Sequence, residues 1–147
     1  MQYSEGGIGR IFTLRLETGD RLPDAIENFA REHRIQRAMA IYVGGAAGTS
    51  RVVAGPREDS GNEIVPIIHG FEGRQEVLGV GTIFPNDSGE PSLHMHASMG
   101  REGDATVGCV RAGVDVWLVG EVILLEILGA GGRRTREQGM DLLNFKD

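Results

Sequence analysis

His94 and His96 stand two residues apart in the stretch SLHMHAS (92–98), each flanked by apolar or small residues. On a β-strand, residues i and i+2 project from one face about 7 Å apart. Two imidazoles so placed can hold one zinc-type ion at about 2 Å each, provided a third ligand arrives from elsewhere. The same spacing suits two polar residues on the water-facing side of a strand. The single cysteine, Cys109, lies in TVGCV, one turn (GREGD) and one strand later. A hairpin closing at that turn returns its sulfur towards the imidazoles. Two histidines and a cysteine from paired strands make a three-ligand set with an open fourth position, as in catalytic or ligand-binding zinc sites. The competing reading of Cys109 is a small buried hydrophobe.

Other candidates carry less chemistry. His69 ends a strand beside Gly70 and reads as a turn residue, and His33 falls near a helix end, where it can meet the last carbonyls. Glu76, Glu121 and Glu126 lie in or beside apolar strands. A half-buried carboxylate there can accept a proton or orient a ligating histidine, or it can pair with an arginine. Glu76 and Glu121 are the candidate catalytic bases. The stretch GGAAGTS (44–50) lacks both phosphate-loop spacings and is not followed by a helical pattern, so it is rejected as a nucleotide site. No serine has a nucleophile-elbow setting.

The elements that must position these residues follow from hydrophobic periodicity. RIFTLRLE (10–17) alternates as a half-buried strand. After a TGD turn, Leu22, Ala25, Ile26, Phe29 and Ala30 take helical spacing, with Pro23 suited to a first turn and Asp24 and Glu27 near the positive end. This helix is expected to end near His33. Further strands are read at 38–43, 49–54, 63–69, 76–84, 92–99 and 105–110, with a polar loop at 55–62. Pro66 pushes 63–69 towards an edge, and two glycines in 76–84 imply close approach by another element. The run 114–128 is too long for one uninterrupted strand, so Gly120 is expected to divide or bend it. The fold class is α+β: one main helix and a largely antiparallel sheet of seven or eight short strands, in a single domain spanning 1–147. The segment 122–128 is apolar on both faces, which points to a partner subunit covering one of them.

Composition sets limits. The chain has 147 residues, 23 glycines and a formal charge of −6. That length supports a core without disulfides, and the glycines, spread between apolar runs, suit strands joined by tight turns. The negative charge does not favour a polyanion partner. One cysteine excludes an intrachain disulfide and fits a reducing compartment. The start, MQYSEGGIGRIF, has no secretory pattern, and the most apolar run is interrupted by Asp115, Gly120, Glu121 and Glu126, so no membrane span is expected. A cytoplasmic protein is expected.

The order of motifs resembles the PPC (plants and prokaryotes conserved) domain family. A strand ending RLETGD, a helix, IYVGGAAGTSRVV, QEVLGVGTIF, a turn, SLHMHASMG and TVGCVRAG carry the resemblance, and RRTREQGMDLLNF is similar to the tail of many prokaryotic members. It extends from about Arg10 to Phe145. The resemblance implies an α+β fold assembled as a homotrimer, with a zinc-type ion bound by three histidines near the subunit interface. His94 and His96 match the family's H-x-H pair. The third histidine, usually in G-G-H-L, maps onto VGCV, so Cys109 stands where histidine is usual. A thiolate ligand lowers the site's charge and softens the ion as a Lewis acid. Plant members add AT-hooks that bind DNA, but this sequence has no R-G-R-P core and no basic arm, so nucleic-acid binding is not carried over.

These readings give three expectations. The first is a small homotrimeric protein holding Zn2+ or a similar ion at His94, His96 and Cys109. The second is a metal-dependent enzyme acting on a small molecule through a metal-bound water, with Glu76 or Glu121 as base. The third is a DNA-associated regulatory module.

Overall fold

The computed structural model describes residues 1–58, 61 and 63–145; residues 59, 60 and 62 of the polar loop lie outside it. In chain order the described elements are β1 (Gly7–Glu17), β2 (Arg21–Leu22), α1 (Asp24–Glu32), β3 (Ala38–Ala46), β4 (Arg51–Pro56), β5 (Pro66–Gly70), β6 (Gln75–Pro85), β7 (Pro91–Arg101), β8 (Asp104–Cys109), β9 (Val114–Leu128), β10 (Arg133–Glu137) and β11 (Met140–Asn144). The main sheet runs β1-β9-β3-β6-β7-β8-β4-β5, with β2 also paired to β9 and every pairing antiparallel. Each of the eight runs with strand patterning forms one of these eight strands.

Alternation decides which face is covered. On β7, Leu93, Met95, Ala97 and Met99 are buried, while His94 and His96 point the other way and are exposed. The covered face packs against α1, whose Ile26 and Ala30 are fully buried beside Leu22 and Ile35. Burying an Ile or Leu side chain of this kind contributes about 1.5–3 kcal/mol. The helix is also pinned to β7, because the Glu27 carboxylate accepts the Leu93 backbone N–H at 2.7 Å. That bond fixes the strand one residue before His94. The two glycines of β6 admit a neighbour as expected: a Cβ at Gly81 would lie 2.6 Å from the Met95 Cβ and from the His94 carbonyl oxygen.

The structure refines these expectations. β9 is one continuous strand of 15 residues, not two. It does bend: Gly44 pairs with Gly120 but Gly45 pairs with Trp117, so Leu118 and Val119 bulge out, with Leu118 at φ 65°. Gly120 serves a different purpose, because the Tyr42 ring occupies the space where its Cβ would be, 2.6 Å away. His33 meets the helix end through its backbone, donating to the Phe29 carbonyl at 3.0 Å, while its imidazole stacks on Phe29 at 4.1 Å. The tail, read only as charged then apolar, forms the hairpin β10–β11. Its two-residue loop has positive φ at both Gln138 (49°) and Gly139 (79°), the left-handed geometry that joins twisted strands tightly. β5 ends the main sheet, paired only with β4, in agreement with the edge position that Pro66 demands.

Candidate metal centre

Register brings the three candidate ligands together. His96 on β7 lies directly opposite Cys109 on β8, and His94 follows His96 on the same face by the two-residue period. Cross-strand partners have Cβ atoms about 5 Å apart, within reach of a shared ion. The ligand atoms of His94, His96 and Cys109 all lie within 4.8 Å of one another. The two Nε2 atoms are 3.1 Å apart, with the rings nearly perpendicular at 76°. Around a tetrahedral zinc with ordinary bond lengths, neighbouring nitrogens sit about 3.3 Å apart and nitrogen and sulfur about 3.6 Å. The histidine pair therefore already has ligand spacing, and a side-chain closure of about 1 Å completes the set. The residues fit a zinc-type ion.

Local sequence explains the arrangement. Gly108 lets β4 cross close to β8, since a Cβ there would meet the Val53 carbonyl oxygen at 2.7 Å. Val53 then pairs with Cys109, which is 4% exposed, whereas both histidines are open to solvent. Desolvation first, then the positive charges of Arg134, His96 and Arg111, hold the His94 pKa below its ordinary value. The neutral imidazole is the form that ligates a metal.

The carboxylates are elsewhere. Glu76 pairs with Gly100, four residues along β7 from His96 and so about 13 Å away. Glu121 shares a cross-sheet row with Ser98 but is three strand spacings from β7, about 14 Å. Both are exposed. Glu126 is buried and bound by Arg10, whose Nε and Nη2 donate to it at 2.8 and 2.7 Å. His69 lies on β5, edge-on to Phe71, with Nε2 3.5 Å from the Thr106 hydroxyl. Among the described residues the cluster contains His94, His96 and Cys109 without a carboxylate.

One neighbour escaped the sequence reading. Arg134 of β10 is 3% exposed and reaches into the main sheet beside the cluster. Its Nη2 donates to the Thr82 carbonyl and to the Thr82 hydroxyl, each at 2.9 Å, and its Nε donates to the Ser92 carbonyl at 3.2 Å. Thr82 is the cross-strand partner of His94. The signal for it was the Gln138–Gly139 turn, which makes RRTRE and MDLLN a hairpin.

The sequence matches the family model described as the Plants and Prokaryotes Conserved (PCC) domain over residues 3–128. Similar solved structures include a metal-containing protein from Archaeoglobus fulgidus, with a TM-score of 0.81 and 24% identity over 100% of both chains. A plant- and prokaryote-conserved protein from Pyrococcus horikoshii also gives 0.81 and 24%, over 100% of this chain and 99% of its own. A candidate DNA-binding protein from Bacteroides thetaiotaomicron gives 0.76 at 17% identity, over 98% and 99%. At these identities the likeness is one of fold. No curated protein matches the chain significantly.

Proposed function

The chain belongs to the Plants and Prokaryotes Conserved domain family, and on that premise we propose that it is a metal-binding protein whose zinc-like ion is held by His94, His96 and Cys109. The observation that carries this reading is the convergence of two imidazole nitrogens and one thiol sulfur within 4.8 Å from two paired strands. The metal-containing relative from Archaeoglobus fulgidus supports it by analogy. A zinc-type ion in such a set supplies a Lewis acid with a fourth position left open. The ligands' own residues do the holding: β7 presents the imidazoles at ligand spacing, and Val53 and Gly108 keep the thiol covered. Within one chain Glu76 and Glu121 are too distant to take a proton at this centre, which favours binding over hydrolysis. The same sheet face carries exposed Ile11, Val43, Leu78, Val80 and Val107, an apolar surface suited to further copies of the chain in a homotrimer. Metal analysis of protein purified without added metal tests the assignment. We expect close to one equivalent of zinc or a similar ion, lost in His94→Ala. A metal content far below one per chain, or one that His94→Ala leaves unchanged, overturns it.

A further inference from the structure

We propose that this centre binds a small oxyanion, a carboxylate or a phosphate, with one oxygen at the open metal position and Arg134 as its second anchor. The inference rests on the metal reading and adds the ligand class. Arg134 is a buried cation whose acceptors are all neutral: two carbonyls and one hydroxyl. Neither hydrogen of its Nη1 has an acceptor among the described residues, and no described carboxylate lies within ion-pair distance of it. Buried charge is ordinarily paired, because desolvating it without a counter-ion is costly. Asp141 and Glu27 act on it only from beyond ion-pair distance, so the close counter-charge is what is missing, and its place is beside the ligands. Thr82, which accepts from Arg134, is directly opposite His94, and Ser92 precedes His94 by two residues on the same face.

Charge balance points the same way. A divalent ion with two neutral imidazoles and one thiolate leaves a net positive centre. Arg134 adds a second positive charge within electrostatic reach of both His94 and Cys109, and exposed Arg111 adds another within reach of His94. The cluster itself has no carboxylate to offset them. The Thr82 hydroxyl oxygen accepts from Arg134, and its own hydrogen has no described acceptor, so it can donate to the same anion. Carboxylate and phosphate both offer one oxygen to a metal and another to a guanidinium fork. An arginine that only stapled β10 to the sheet would give the contacts seen, and any anion affinity of the open metal position would then be unchanged in Arg134→Gln.

Cobalt(II) substitution separates these cases. The thiolate-to-cobalt absorption in the near ultraviolet reports whether the metal binds, and the visible bands report a change in its coordination. Acetate and inorganic phosphate are titrated in separate arms, and the responsive one identifies the oxyanion. We expect saturable band shifts with at least one of them. Arg134→Gln should weaken that affinity by roughly tenfold or more, the size of a charge-assisted contact, and Arg134→Lys should restore part of it. The exposed Arg111→Gln should weaken it roughly two- to threefold through space, which keeps the test available should Arg134→Gln fail to fold. Bound cobalt whose bands ignore both anions, or unchanged anion affinity in the arginine variants, overturns this inference alone. Failure to bind cobalt overturns the metal reading with it.

Discussion

Cys109 decides the chemistry at the residue scale. It faces His96 across one strand pair and is covered by Val53, so its sulfur is presented to the imidazoles and shielded from bulk oxidants. A thiolate contributes charge that a neutral imidazole does not. Cys109→Ser should therefore reduce metal affinity by more than about 100-fold, beyond the range for losing an outer partner. Cys109→His supplies the donor usual in the sequences this chain resembles. It should retain the ion while losing the thiolate-to-cobalt absorption. Competition with a chromophoric chelator measures the first effect and cobalt spectroscopy the second. Equal affinity in wild type and Cys109→Ser would remove the thiol from the ligand set. His94, His96 and Cys109 were legible in the sequence because their period and one turn fix their placement. Arg134 was not, since its burial depends on a hairpin packing against strands 42 and 52 residues earlier.

Strand register is what delivers those side chains, and the sequence disclosed it unevenly. The eight main strands follow from alternation and glycine punctuation. The order that inserts β9 between β1 and β3 does not, because apolar strands pair equally well with several neighbours in a pattern reading. Strand pairing here is reinforced by an ion pair between the exposed Arg10 and the largely covered carboxylate of Glu126. Arg10 on β1 gives Glu126 on β9 three hydrogen bonds, from its backbone N–H at 3.1 Å and from Nε and Nη2. These bonds, led by the side-chain ones, bring the Glu126 pKa down to about 2. A carboxylate whose folded pKa is depressed adds stability above its unfolded value near 4.5, and that stability is lost as the pH falls towards 2. Chemical denaturation at a series of pH values should show this slope in the wild type and a flatter one in Glu126→Gln. Superimposable acid profiles for the two proteins would mean that the pair does not couple β1 to β9.

For the whole molecule, the sheet has one face closed by α1 and another left open around the metal candidates. A cross-sheet row on the open face reads Thr13, Ile123, Ile41, Val80, His96, Cys109, Val53 and Ile68, mostly apolar from β1 to β5. The neighbouring row adds Val43, Leu78 and Val107, which are 48%, 58% and 62% exposed. A contiguous apolar surface of this kind in a chain of charge −6 favours association with like copies over contact with a phosphate backbone. The two-sided apolarity of 122–128 led to the expectation of a partner over one face; the placement of β9 between β1 and β3 shows which residues share that face. We expect light scattering to give a mass near three times 15.8 kDa. Leu78→Lys should bring that mass down towards one chain, because it places a charge on the open face where the isolated chain has room for it. A wild type already running at 15.8 kDa would leave the face without a second copy. An oligomer unaffected by Leu78→Lys would move the contact to another surface. If the mass falls while one metal per chain is retained, ligation by His94, His96 and Cys109 is complete within one chain and the partners only enclose it.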